Sequence, residues 1–133
     1  MDVYLTGEAV RALRALSLLS PREGEGLLLG HERGGRRLVE RVLPTVRGFF
    51  PSIEAFAAAN RALGGSVVGF FSFAPDRARL RRILAPFACQ SVFVDVSGLG
   101  PEGGRPRAFL IRFDRTFNLH PMDCVMEKGG RRE

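Results

Sequence analysis

Tryptophan is missing from this 133-residue chain, tyrosine occurs once, and the only cysteines are Cys89 and Cys124. Two thiols are too few for the dense disulfide framework of small secreted domains, so apolar burial has to hold the fold, with one bridge between the pair left open. Lysine is scarcer still. Lys128 is the single lysine among 20 basic residues, and amides are limited to Asn60, Asn118 and Gln90. Both shortages fit a thermostable protein, and they fit genome bias equally well. A long apolar run is also lacking: Asp2, Glu8, Arg11 and Arg14 interrupt Met1–Ser20. That interruption leaves no signal-peptide core and no bilayer span, which makes a cytoplasmic protein without membrane contact the expectation.

Apolar residues make up 45% of the chain, and phenylalanine alone contributes 11. A chain of this length buries enough surface for one core, and a second independent core does not fit. We read residues 1–126 as one domain and 127–133 as a polar tail. The formal charge of +6 comes from 20 basic against 14 acidic side chains. Such a balance attracts nucleic acid or acidic partners in general. Here the arginines are scattered, and no phosphate loop, zinc-finger spacing or aromatic-basic motif accompanies them. Nucleic-acid binding through Arg77, Arg79, Arg81 and Arg82 therefore stays a secondary reading.

Spacing along the chain predicts the elements. Thr6 or Gly7 caps a helix whose apolar face is Ala9, Val10, Leu13, Leu16 and Leu19. Leu27 to Leu29 reads as a short strand buried on both faces, turning through His31 to Gly35 into a second strand, Arg37 to Leu43. Ser52 caps a helix from Ile53 to Leu63 that stops at Gly64 and Gly65. The uninterrupted apolar run from Val67 to Phe73 fits a central strand, ended by Pro75. Asp76 then caps a helix from Arg77 to Leu84. Ser91 to Val96 and Arg107 to Phe113 form two more strands around a glycine-rich loop, and Phe117 to Met126 adds an edge segment. This order predicts an α/β fold, a mixed β-sheet packed between helices.

Two stretches carry a resemblance: Glu23-Gly24-Glu25-Gly26-Leu27-Leu28-Leu29-Gly30, and Gly69-Phe70-Phe71-Ser72-Phe73-Ala74-Pro75. With the strand between them, they make the chain similar to the JAMM/MPN metalloprotease superfamily, whose domain is cytidine-deaminase-like. The resemblance runs from about Gly7 to Phe113. It implies a zinc held by two histidines and an aspartate, with a glutamate as general base, in enzymes that cleave isopeptide bonds of ubiquitin-like proteins or related small substrates. Carried over by position, Glu23 falls on the general base, Gly26, Gly30 and Gly69 on the strand glycines, and Pro75 on the terminal proline. Ser72 and Ala74 stand where the two histidines belong, and Ala85 stands where spacing seeks the aspartate.

Zinc catalysis needs about three protein ligands and a water. Ala74 has no donor, a neutral serine is a poor one, and His31 and His120 are far away in sequence. The expected reading is a noncatalytic MPN-like interaction or scaffolding domain, without metal or other cofactor, acting as a homo-oligomer or beside a protein partner. Glu23, Ser72 and Ala74 would be relict positions, and Phe73, Asp76, Arg77 and Arg79 would line a cleft or contact surface. The alternative is a hydrolase with a rearranged metal site drawing on His31, His120, Asp123 or Cys124. Each of these residues also has a plain reading. Glu23 and Glu25 suit exposed charges around a glycine-rich turn, Ser72 a buried hydroxyl bonded to backbone, and Asp76 a helix cap.

Overall fold

The computed structural model describes residues 2–19, 24–45, 53–76, 80–81 and 83–127. Strand β1 (Asp2–Leu5) leads into helix α1 (Gly7–Leu19). The Thr6 hydroxyl accepts from the Ala9 N–H at 3.2 Å, taking up one of the donors that a helix start leaves without an intrahelical partner. Strands β2 (Glu25–Arg33) and β3 (Arg36–Pro44) form a hairpin. Gly34 and Gly35 make its turn with φ of 58° and 80°, a left-handed pair that glycine adopts at no steric cost. Helix α2 (Ile53–Ala62), strand β4 (Val67–Ser72), a short 3-10 turn (Pro86–Ala88) and strand β5 (Val92–Asp95) follow. Strands β6 (Arg107–Phe113) and β7 (Phe117–Met126) end the described chain.

The sheet closes. Its order is β1-β3-β2-β4-β5-β6-β7, and β1 pairs in parallel with both β3 and β7. This corrects the expected α/β layer of a mixed sheet packed between helices: the architecture is a seven-stranded mixed β-barrel with two short helices among the described residues. The four-residue β1 joins the sheet's two margins. Its Val3 and Leu5 are fully buried, and Asp2 pairs across to Arg36 through two hydrogen bonds of 2.9 Å. The expected edge segment at Phe117 to Met126 is correspondingly no edge, because β7 is paired on both sides.

Every strand contributes to one apolar cluster inside the barrel, and α1 adds Ala9 and Leu13 to it. A second cluster lies on the other side of β2, β4, β5 and β6, where Leu27, Phe70, Phe93 and Ile111 pack against Phe56 of α2 and Ile83. Strand alternation explains the split. Phe70 faces outward to α2 while Phe71 faces inward, so a run apolar on both faces is what β4 requires. Phe70, Phe71 and Phe93 are almost completely buried, each contributing about 1.5–3 kcal/mol of hydrophobic free energy. Gly69 allows β4 and β5 to close up, since a Cβ there would lie 2.1 Å from the Val92 carbonyl oxygen.

Of the remaining expected elements, Ser52 and half of Arg77 to Leu84 lie outside the described residues, and residues 80, 81 and 83 are helical.

Candidate functional site

At one end of the barrel a row of polar side chains crosses four strands. Ser72, the last residue of β4, pairs with Glu25 of β2 on one side and with Asp95 of β5 on the other. Asp95 in turn lies opposite Arg107 of β6. Paired residues share a face of the sheet, and these four continue the outward rows of Leu27, Phe70, Phe93 and Phe109. Glu25, Ser72 and Asp95 are all buried, with 1%, 1% and 6% of their surface exposed.

Burial of this kind requires hydrogen-bond partners. Ser72 Oγ accepts from the Ala74 N–H at 3.1 Å, and its carbonyl accepts from the Val96 N–H at 3.0 Å. The Phe73 N–H donates to the Gly24 carbonyl at 2.9 Å, tying the end of β4 to the segment entering β2. Asp95 Oδ1 accepts from the Ser97 N–H at 2.9 Å and the Ser97 hydroxyl at 2.7 Å, and Oδ2 accepts from Arg107 at 3.0 Å. Burial pushes the Asp95 carboxyl upward, but the Ser97 hydrogen bonds and the Arg107 guanidinium outweigh it and hold the group below the ordinary aspartate value.

Ser72, Phe73 and Ala74 thus gather at one place. Phe73 and Ala74 line a shallow groove of about 420 Å³ with Ser17, Leu99 and Pro101. Phe73 itself is mostly covered, packing edge-on against Phe71 with ring centroids 6.2 Å apart. Asp76 is exposed, its N–H donating to the Ala74 carbonyl and its own carbonyl accepting from the Leu80 N–H. Glu23, Arg77 and Arg79 lie outside the described residues.

Glu25 corrects its plain reading as an exposed turn charge. It is the first residue of β2, buried directly across from Ser72. Its spacing of two from Leu27 was the available signal, hidden because the strand was started at Leu27. Asp95 was missed altogether. An acid on the same face as Phe93, two residues before a serine, is the pattern that could have marked it.

The alternative ligands are dispersed. His31 sits six residues along β2 from Glu25, about 20 Å at the rise of a strand, and pairs with Glu40 at 3.4 Å. His120 is exposed on β7 opposite Leu110. Cys89 and Cys124 are both free thiols. Cys124 packs against the inner cluster, where burial pushes its thiol up to about 11 while Arg105 pulls weakly the other way. A thiol so high is a poor nucleophile near neutral pH.

Among the described residues no three His, Cys, Asp or Glu side chains gather as a metal-binding group. The zinc implied by the resemblance does not fit Ser72 and Ala74: one hydroxyl already accepts from backbone, and the other side chain is a methyl. Among the described residues no helix is long and apolar enough to cross a membrane.

No family model matches the chain, and no curated protein matches it. The fold is similar to the solution structure of protein DSY2949 from Desulfitobacterium hafniense, with 23% sequence identity and a TM-score of 0.60. The similarity covers 98% of this chain and 99% of that one. At this identity the likeness speaks to the fold alone.

Proposed function

We propose that the chain is a noncatalytic interaction domain that joins a second copy of itself through the groove at the end of β4. One observation carries the reading: Ser72 Oγ accepts from the Ala74 N–H, and Ala74 brings only a methyl to the position beside it. No metal-ligand set arises from that pair. A surface relieved of chemistry is left free to serve contact.

The neighbouring surface supports that use. Leu18 and Leu19, at the end of α1, are 68% and 76% exposed, and Ser17 beside them lines the same groove as Phe73 and Leu99. Two adjacent leucines in water give up the burial that a partner surface would supply, about 1.5–3 kcal/mol for each if fully covered.

Light scattering from micromolar to near-millimolar chain tests the reading, together with the variant Leu18→Glu/Leu19→Glu. The expected result is self-association that the variant abolishes while its circular dichroism stays unchanged. A strictly monomeric wild-type protein removes the homo-oligomer. Stoichiometric zinc in the purified protein, with hydrolysis lost on Glu23→Ala, overturns the noncatalytic assignment.

A further inference from the structure

Three arginines line a cavity separate from the groove beside Ser72. Between the first turns of α1 and the end of β7 lies a cavity of about 610 Å³, within the size range of small-molecule sites. Arg11 and Arg14 reach it from α1, and Arg105 from the loop before β6. Val10 and Met126 supply apolar wall.

The three arginines are placed differently. Arg14 is fixed, donating through Nη1 to the carbonyls of Gly100 and Gly103 at 3.0 and 2.7 Å. Those bonds keep its charge and remove its rotamer freedom, as a preorganised binding group requires. Among the described residues the side chains of Arg11 and Arg105 make no hydrogen bond or ion pair. Arg105 is exposed and lines the cavity together with Cys124, close enough for its charge to act on that thiol.

Two carboxylates oppose them, Glu102 and Glu127. Glu127 is already engaged, Oε1 accepting from the Gly7 N–H at 2.5 Å. It occupies the α1 N-terminus, so the helix end is a capped feature and the arginines must carry any site. Against Glu102 and Glu127, the three guanidinium groups leave one net positive charge on the lining.

We propose that this cavity binds a small organic dianion, its charged group held by Arg11, Arg14 and Arg105 and its short carbon portion lying on Val10 and Met126. Two unpaired guanidinium forks match an oxyanion group better than a single neutral acceptor. A phosphate monoester and a dicarboxylate share this chemistry.

Amide spectra of the 15N-labelled full chain, titrated separately with inorganic phosphate and with succinate at constant ionic strength, test the proposal. Saturable shifts are expected at Gly7, Arg11 and Met126, and the tighter of the two probes identifies the oxyanion. Arg11→Ala/Arg105→Ala should weaken binding about tenfold or more, whereas Arg33→Ala, on the β2–β3 hairpin, should leave it unchanged. Binding by the wild-type chain should also weaken as sodium chloride rises from about 20 to about 300 mM, a reading that needs no variant. Absence of saturable shifts with either probe up to about 10 mM overturns the site, as does binding indifferent to salt or to loss of both arginines.

Discussion

Arg107 Nη2 lies 3.0 Å from Asp95 Oδ2 across the β5–β6 pair, yet only 7% of the Asp95 side chain is exposed against 74% of Arg107. The arginine end of this bridge is solvated and screened, so most of what holds Asp95 comes from Ser97. A carboxyl held below its ordinary 3.8 adds stability that is complete above the unfolded value. That stability is lost as pH falls through the lower folded value. Asp95→Asn should therefore flatten the acid limb below about pH 4 and cost about 1–2 kcal/mol near neutrality. Urea denaturation at stepped pH measures both, and an unchanged acid limb would remove Asp95 from this account.

Gly69→Ala should be among the most damaging small substitutions in the chain. The added methyl would meet the Val92 carbonyl oxygen at 2.1 Å and Val92 Cγ2 at 2.6 Å, so backbone must move. A loss of about 2–4 kcal/mol is expected in chemical denaturation. Gly35→Asn is the control: its φ is 80°, nothing lies within 4 Å of the added atom, and asparagine tolerates that backbone. A similar loss for both variants would contradict the close approach of β4 and β5.

Thr6 links three elements at one position. Its hydroxyl caps α1 through the Ala9 N–H and donates to the Glu40 carbonyl of β3 at 3.2 Å, while its N–H donates to the Val39 carbonyl at 3.0 Å. Thr6→Ala removes the first two bonds and keeps the third. The expected cost is about 1 kcal/mol, and Thr6→Ser should recover most of it. A thermal melt in which alanine equals wild type would show the cap to be idle.

Cys124 should react far more slowly than its partial exposure suggests. With the thiol at about 11, roughly one molecule in a thousand carries thiolate at pH 8. Alkylation followed by mass spectrometry should label Cys89 well ahead of Cys124. Because the folded thiol lies above its ordinary 9.0, its contribution to stability is complete below that pH and falls as pH rises toward 11. Equal labelling rates at pH 8 would argue against the buried setting of Cys124.

How far these features were legible in sequence depends on how far apart the interacting residues lie. The Gly34-Gly35 turn is a local matter, and the hairpin it predicts is present. Arg107–Phe113 appears with the predicted bounds, and Val67 to Phe73 runs one residue past β4, because period and flanking breakers act within a few residues. β1 gave only four residues of alternation ahead of a helix, too short a signal to register. Its role is long-range: Val3 pairs with Arg37 and with Cys124, and neither neighbour can be inferred from its own segment.

Residue identity and local periodicity determined the strongest strands and the β2–β3 hairpin, since each follows from contacts a few positions apart. Tertiary structure decided that the sheet closes through β1, that Glu25 and Asp95 flank Ser72, and that Arg11, Arg14 and Arg105 surround one cavity. Those outcomes depend on strand register and on pairing between distant segments, where shifting a strand by one residue reverses every side chain it carries.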